Sequence, residues 1–136
     1  MSKLNNNFKR KSFLKLKSEI QCLFYEGEKI NTSSFRLLYY FELNSQQYGL
    51  KLFVSAPKKL LKSAVKRNTA KRRFKEAFRL NCHHLKEMAE KHKVKIYVGI
   101  IHNNPSLIKY NEIEKNLILS LQKIYNEIYE KLEQNS

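Results

Sequence analysis

Apolar residues recur along the chain with two different periods, and each change of period predicts a new element. Helical spacing between Phe13 and Tyr25, with Gly27 just beyond, predicts a short first helix. Alternating apolar residues predict strands over 35–43 and 48–56, and the polar segment NSQQ between them predicts a hairpin. The apolar face predicted for the first strand consists of Phe35, Leu37, Tyr39, Phe41 and Leu43.

The second half of the chain returns to the helical period on both sides of one apolar run. The spacing predicts a long helix over about 62–91 and a last helix over about 110–132. Between them, VKIYVGIIH at 94–102 is continuously apolar, which is typical of a central strand covered on both faces. This order predicts an α+β sandwich of helices against a small sheet. The core stripe predicted for the last helix is Ile113, Leu117, Leu121, Ile124 and Ile128.

Length and charge narrow the class of protein. The 136 residues suffice for one domain, which we place at 13–136, after a polar, basic segment 1–12 that we predict to be a flexible arm. The formal net charge is +15, from 27 Lys and Arg against 12 Asp and Glu, so an anionic partner is expected. No apolar run reaches the ~20 residues of a membrane span, and the N-terminus lacks an apolar signal region, so we expect a cytoplasmic protein.

The charge is concentrated in the stretch from Ser63 to Arg79, where seven Lys and Arg stand against one acid, Glu76, between residues 66 and 79. On a helix, Ala70, Phe74, Ala77 and Phe78, followed by Leu85 and Met88, share one side, while Asn68, Arg72, Lys75, Arg79 and Lys86 lie nearly opposite. Lys71 falls at the edge of the basic side, and Arg67 points toward the buried side. Such a run can be only a solvated face, but so few acids among the bases indicate a polyanion, with nucleic acid the leading candidate.

The same stretch resembles the signature of the protein subunit of bacterial ribonuclease P, Ala-Val-x-Arg-Asn-Arg-x-x-Lys-Arg followed by a basic residue and Glu. Residues 64–76 read AVKRNTAKRRFKE, with Thr69 where the family usually has its second Arg and Lys75 where Arg is common. The resemblance extends beyond the motif to Ile20, Phe24, Gly27, Gly49, Val54, Ser55, Lys58 and Lys59, with Ala56 and Pro57 as extra spacing.

The resemblance implies an αβββαβα sandwich with a small mixed sheet and a left-handed crossover through the basic helix, where the general rule would give a right-handed one. It also implies one more short strand near 29–31. In this family an RNA subunit with bound Mg²⁺ removes the 5′ leader of precursor tRNA, and the protein subunit binds RNA. We therefore expect the ribonuclease P RNA and precursor tRNA as partners, and Mg²⁺ held mainly by the RNA, with no membrane and no obligate protein partner evident.

Carried over residue by residue, the resemblance assigns two groups of side chains. Those expected to bind RNA are Lys58, Lys59, Lys66, Arg67, Asn68, Lys71, Arg72, Lys75 and Arg79. Those expected to line a cleft for the single-stranded leader are Ile20, Phe24, Arg36, Leu38 and Tyr40. Planar groups suit unstacked nucleotides, although Phe24 and Tyr40 would equally suit a hydrophobic core.

Candidate catalytic groups are sparse. The chain has no Asp, its Glu residues are scattered, and Cys22 and Cys82 form no metal-binding pair, so we expect neither a catalytic residue nor a metal site in this chain. Adjacent His83 and His84 diverge on a helix and lack a second ligand pair. Three alternatives remain open: an RNA-binding protein of another assembly such as the ribosome, a protein lying on anionic membranes, and an independent nuclease.

Overall fold

Residues 12–135 are described by a computed structural model, and within this range the chain forms four helices and four strands. The predicted arm at 1–12 lies outside the described residues except for Ser12. In chain order the elements are α1 (Lys17–Glu26), β1 (Glu28–Asn31), β2 (Arg36–Glu42), β3 (Gly49–Ser55), α2 (Ala64–Asn81), α3 (His83–His92), β4 (Lys95–Ile101) and α4 (Tyr110–Gln134). The α+β class is confirmed, as is the short strand β1 that the resemblance implied.

The sheet has the order β1-β2-β4-β3, so the predicted hairpin of β2 with β3 is wrong. Strand β4 lies between them, antiparallel to β2 and parallel to β3. Its five central residues are all buried, which confirms the predicted central strand. An apolar strand that is buried on both faces stabilises the fold most at the centre of the sheet, so β4 lies there and β2 does not pair with β3. The left-handed sense of the β3-to-β4 crossover stays an expectation from the resemblance.

The main core lies between one face of the sheet and helices α2, α3 and α4. The predicted faces of β2 and of α4 both belong to it, so these two predictions are confirmed. One polar link ties the layers together, because the hydroxyl of Tyr39 donates a hydrogen bond of 2.5 Å to Glu127 Oε1. Burial raises the pKa of the Tyr39 hydroxyl, and the hydrogen bond to Glu127 raises it further.

The single helix predicted over 62–91 is divided into α2 and α3 at Cys82, whose backbone angles are φ −97° and ψ 0°. A straight helix of about 30 residues would be ~45 Å long, whereas a seven-residue strand spans ~23 Å. The break lets both halves cover the same small sheet. Asn81 helps to end α2, because its Nδ2 donates to the carbonyl oxygen of Ala77 and to Glu114 Oε2, both at 2.8 Å.

Helix α1 covers the opposite face of the sheet and begins later than predicted, at Lys17 rather than near Phe13. Phe13 instead pairs with Leu52 at the edge of β3, and the amide of Leu14 donates to the carbonyl of Leu52 at 2.9 Å. The side chain of Leu23 is the one residue of α1 that is buried, and it lies over Gly99 of β4. A β-carbon at Gly99 would come within 2.8 Å of Leu23 Cδ2, so the missing side chain lets α1 approach the sheet.

Candidate nucleic-acid interface

The apolar side of the basic helix α2 is packed in the core and fixes the orientation of the helix. Ser63 is its N-cap and accepts a hydrogen bond of 3.3 Å from the amide of Lys66. The buried residues of α2 are Ala70, Phe74, Ala77 and Phe78, which confirms the predicted apolar side. Because this side is packed in the main core, the direction in which the opposite side chains project is set by the fold.

The outer side of α2 presents polar side chains to solvent. Asn68, Arg72 and Lys75 are exposed, and so is Lys66 on one flank, while Lys71 on the other flank is half-buried. Within the described part of the chain, the side chains of Lys66, Lys71 and Arg72 form no hydrogen bond or ion pair. Cations held this way repel one another, and a polyanion would relieve that repulsion.

Three other guanidinium groups of the basic stretch already have partners within the protein. Arg79 binds Glu76 through Nη2 at 2.6 Å and Nε at 3.2 Å, so the charge of this predicted site residue is compensated. Arg73 Nη1 donates to the carbonyl of Ile108 at 2.7 Å and fixes α2 to the segment that precedes α4. The third is Arg67, which turns back toward the residues before the helix.

The two flanks of α2 have different neighbours. Arg73 and Asn81 contact the α4 side. On the other flank Lys75 Nζ lies 5.4 Å from the centroid of the Phe13 ring, and Phe13 pairs with β3. Lys71 precedes Lys75 by one turn on this flank. The cations Lys71 and Lys75 therefore adjoin the edge of the sheet.

The predicted site residues Lys58 and Lys59 lie in the turn that connects β3 to α2, and both are exposed. The amides of Leu60 and Leu61 each donate to the carbonyl of Pro57 at 3.1 Å, which closes the turn. Lys58 follows the end of β3 by three residues, so its Cα lies no more than ~11 Å from that of Ser55. The turn thus joins the basic helix to the sheet face below α1.

Strand register sets out that face as rows of side chains. Leu38, Gly99 and Phe53 form the middle row, where Leu23 of α1 packs. Toward one end lie Tyr40, Tyr97 and Lys51, and toward the other lie Arg36, Ile101 and Ser55. The row of Arg36, Ile101 and Ser55 leads to the turn with Lys58 and Lys59, because Ser55 is the last residue of β3.

The five predicted cleft residues are brought to this face but differ in exposure. Leu38 is only 1% exposed and belongs to a small core with Leu23, so no leader nucleotide can reach it without moving α1. Ile20 and Tyr40 are half-buried and pack against the same cluster. Phe24, 43% exposed, and Arg36 are the two that face solvent.

Sequence reasoning missed Phe53, which shares the face with Phe24. The two rings meet edge to face with centroids 5.9 Å apart, and together they form an aromatic wall beside Gly99. Lys51 was also missed. Alternation along β3 places Lys51, Phe53 and Ser55 on one face, but the predicted hairpin paired β3 with the wrong strand and hid their neighbours.

Charge is distributed unevenly along this face. At the end with Tyr97, Lys51 binds Glu19 at 3.1 Å and Lys95 binds Glu42 at 2.9 Å. The hydrogen bond from Lys95 to Glu42 raises the pKa of the Lys95 ammonium group. At the other end, Arg36 has no ion-pair partner among the described residues. The uncompensated positive charge therefore lies toward the turn and α2.

Among residues 12–135, no group of three or more His, Cys or Glu side chains is arranged to hold a metal ion. In the same range, no helix combines the length and the hydropathy that crossing a membrane requires.

The family model described as Ribonuclease P matches residues 8–125 of the chain. The chain belongs to the ribonuclease P protein family. A ribonuclease P protein component of Borrelia garinii is 36% identical over 113 residues, which cover 82% of this chain and 96% of that protein. One from Porphyromonas gingivalis is 29% identical over 111 residues, 82% of this chain and 81% of the relative.

Solved structures agree with the family on the fold. The ribonuclease P protein of Thermotoga maritima has a TM-score of 0.61 at 21% identity, covering 82% of this chain and 96% of that one. That of Staphylococcus aureus has a TM-score of 0.60 at 22% identity, with coverages of 84% and 94%. Its family membership makes the protein the RNA-binding subunit of ribonuclease P, an enzyme in which the RNA is catalytic, and it favours this role over the three alternatives.

Proposed function

We propose that the protein binds two RNA segments through one continuous surface. The outer side of α2 and the Lys58–Lys59 turn would bind backbone phosphates of the ribonuclease P RNA. The end of the sheet face with Phe24, Phe53 and Arg36 would bind the single-stranded 5′ leader of precursor tRNA. The enzyme would thereby hold its substrate by a segment that mature tRNA lacks.

The observation that carries the proposal is the continuity of uncompensated charge. Cations project from α2 on a buried backing, the turn adds two more, and Arg36 extends them onto the sheet. Phosphate binding by such cations releases counterions, which supplies affinity without sequence preference.

The aromatic wall supports the second half of the proposal. The ring of Phe24 is partly exposed and packs edge to face with Phe53, so its exposed part is available to a base. Stacking on an aromatic face tolerates every base, and it contributes about 1–3 kcal/mol per base in single-strand binders. Leu38 would act indirectly, because it supports α1 from below.

The chain supplies no obvious ligand set for Mg²⁺. It has no Asp, and Glu19 of α1 and Glu42 of β2 are already paired with lysines. Mg²⁺ prefers carboxylate and phosphate oxygens, so we place it mainly on the RNA subunit, where it would activate the attacking water. The residues of this chain would position the leader and screen phosphates around that centre.

Reconstitution with a ribonuclease P RNA tests the proposal. Phe24→Ala should weaken binding of the holoenzyme to precursor tRNA by about tenfold, the value of one lost stack, and leave binding of mature tRNA unchanged. Tyr129→Ala is the control, because Tyr129 is an equally exposed aromatic residue on α4, away from the sheet face. Equal losses for precursor and mature tRNA would show that α1 does not bind the leader.

A further inference from the structure

Arg67 differs from the other cations of the basic stretch in the direction of its side chain. Its Nη1 donates two hydrogen bonds, 2.9 Å to the carbonyl of Leu61 and 2.8 Å to that of Lys62. It is half-buried, whereas Lys66 and Asn68 on either side of it are exposed. The guanidinium therefore faces the chain that leads into α2, and not the outer side of the helix.

The two carbonyls belong to the segment that carries the turn cations. Leu61 is buried, and its amide closes the turn on Pro57. Lys58 and Lys59 lie inside that turn and have exposed side chains. One hydrogen-bonded path therefore runs from the first turn of α2, through Arg67, to the backbone that presents Lys58 and Lys59.

We infer that Arg67 is a positioning residue that holds the Lys58–Lys59 turn at a fixed place relative to the phosphate-binding side of α2. The inference rests on the proposed function, because it concerns cations of the proposed interface. One terminal nitrogen of a guanidinium carries two hydrogens in a plane, which suits two adjacent carbonyls. Ordering the turn before RNA arrives lowers the entropy that binding must remove.

A double-mutant cycle on affinity for the ribonuclease P RNA tests this role. In the native protein, Lys58→Ala with Lys59→Ala should weaken binding about 25- to 60-fold at 0.1 M salt, the effect of two phosphate contacts. In the Arg67→Ala background the same pair should weaken binding less than about threefold, because the turn is already displaced. In the Arg72→Ala control background the full effect should remain.

Two results of the cycle would overturn the inference. Multiplicative losses would mean that Arg67 binds a phosphate independently of the turn. Unchanged affinity of Arg67→Ala, with only a lower melting temperature, would mean that the residue serves folding alone. Arg67→Lys retains the charge but not the planar fork, so it should resemble Arg67→Ala if Arg67 positions the turn. Native affinity for Arg67→Lys would again count against the inference.

Amide hydrogen exchange on the free protein separates this inference from the proposed function. Arg67→Ala should speed exchange at Leu60 and Leu61, whose amides close the turn, and leave Phe74 and Phe78 protected. Unchanged exchange at Leu60 and Leu61 would refute the positioning role whatever the RNA data show. Faster exchange, combined with no loss of affinity in the Lys58→Ala, Lys59→Ala protein, would instead locate the failure in the proposed interface.

Discussion

Replacing Arg72 with alanine tests the outer side of α2 most directly. Arg72 is exposed at the centre of that side and forms no ion pair with another described residue. Its removal leaves the core residues Phe74 and Phe78 in place, so the fold should persist. The measured change in RNA binding should therefore reflect one lost cation.

The structure sets the size of the effect. Among the described residues, six cations of α2 and the Lys58–Lys59 turn have no acidic partner: Lys58, Lys59, Lys66, Lys71, Arg72 and Lys75. If each meets a phosphate, the slope of log affinity against log salt should be about −4 to −5, from ~0.7–0.9 per contact. The affinity for RNA should then fall by about 250- to 1,000-fold between 50 and 200 mM salt.

Losing one of these contacts should change the slope by about 0.7–0.9, which corresponds to about five- to eightfold weaker binding at 0.1 M salt. The assay is a titration of labelled ribonuclease P RNA with native and Arg72→Ala protein at four or five salt concentrations. Lys123→Ala, an exposed lysine of α4, is the control and should leave the slope unchanged. A native slope for Arg72→Ala, or an equal change for Lys123→Ala, would refute a localised interface.

Three further predictions concern the scaffold. Gly27→Ala should destabilise the protein by about 1–3 kcal/mol in urea unfolding. A β-carbon at this position would collide with the carbonyl oxygen of Leu23 and lie 2.9 Å from that of Tyr39. An unchanged midpoint of unfolding would contradict this packing. Burial lowers the pKa of His102, so the unfolded chain binds more protons than the folded chain below pH ~6.5. The free energy of unfolding should therefore fall as the pH decreases through that value, and His102→Leu should reduce this dependence. Burial raises the pKa of Cys82 to about 11, so a disulfide reagent at pH 8 should modify half-buried Cys22 first, and equal rates would contradict the burial.

His102 also shows a feature that the sequence could not reveal. Its side chain is buried beside Phe74, with ring centroids 6.3 Å apart, and neither ring nitrogen has a hydrogen-bond partner of good geometry among the described residues. Backbone groups of Asn104 and Ser106 lie near enough to favour the charged form but do not outweigh burial. The pattern of the last strand showed that residue 102 ends an apolar run, but not that the ring is enclosed.

The spacing of apolar residues predicted which side of each of three elements is buried. The buried sides of α2 and α4 follow from helical spacing, and the apolar face of β2 follows from alternation. Strand pairing does not depend on neighbours in sequence, so the insertion of β4 between β2 and β3 escaped the pattern. The pattern did not predict the break at Cys82 either, because the buried residues of α2 and α3 keep the same helical spacing on both sides of it.

The same limit applies to the interface. Sequence spacing placed Asn68, Arg72 and Lys75 on the outer side of α2, and all three are exposed there. It could not show that Arg79 is compensated by Glu76 or that Arg73 binds the carbonyl of Ile108. Counting charges in a basic motif therefore overstates the number available to RNA, because guanidinium groups also serve as structural hydrogen-bond donors.

Thr69, which replaces the second arginine of the family motif, indicates where the available charge is concentrated. Its hydroxyl donates to the carbonyl of Val65 at 3.0 Å, one turn back, so this position gives the helix no cation. On the flank toward α4, Arg73 already donates to the carbonyl of Ile108, so Lys66 is the available cation of α2 on that flank within residues 12–135. Lys71 and Lys75 lie on the flank toward β3, next to the turn that leads to the sheet face. The charge of α2 is thus weighted toward the end of the sheet face that is proposed to bind the leader, so a single RNA path would cross both the helix and that face.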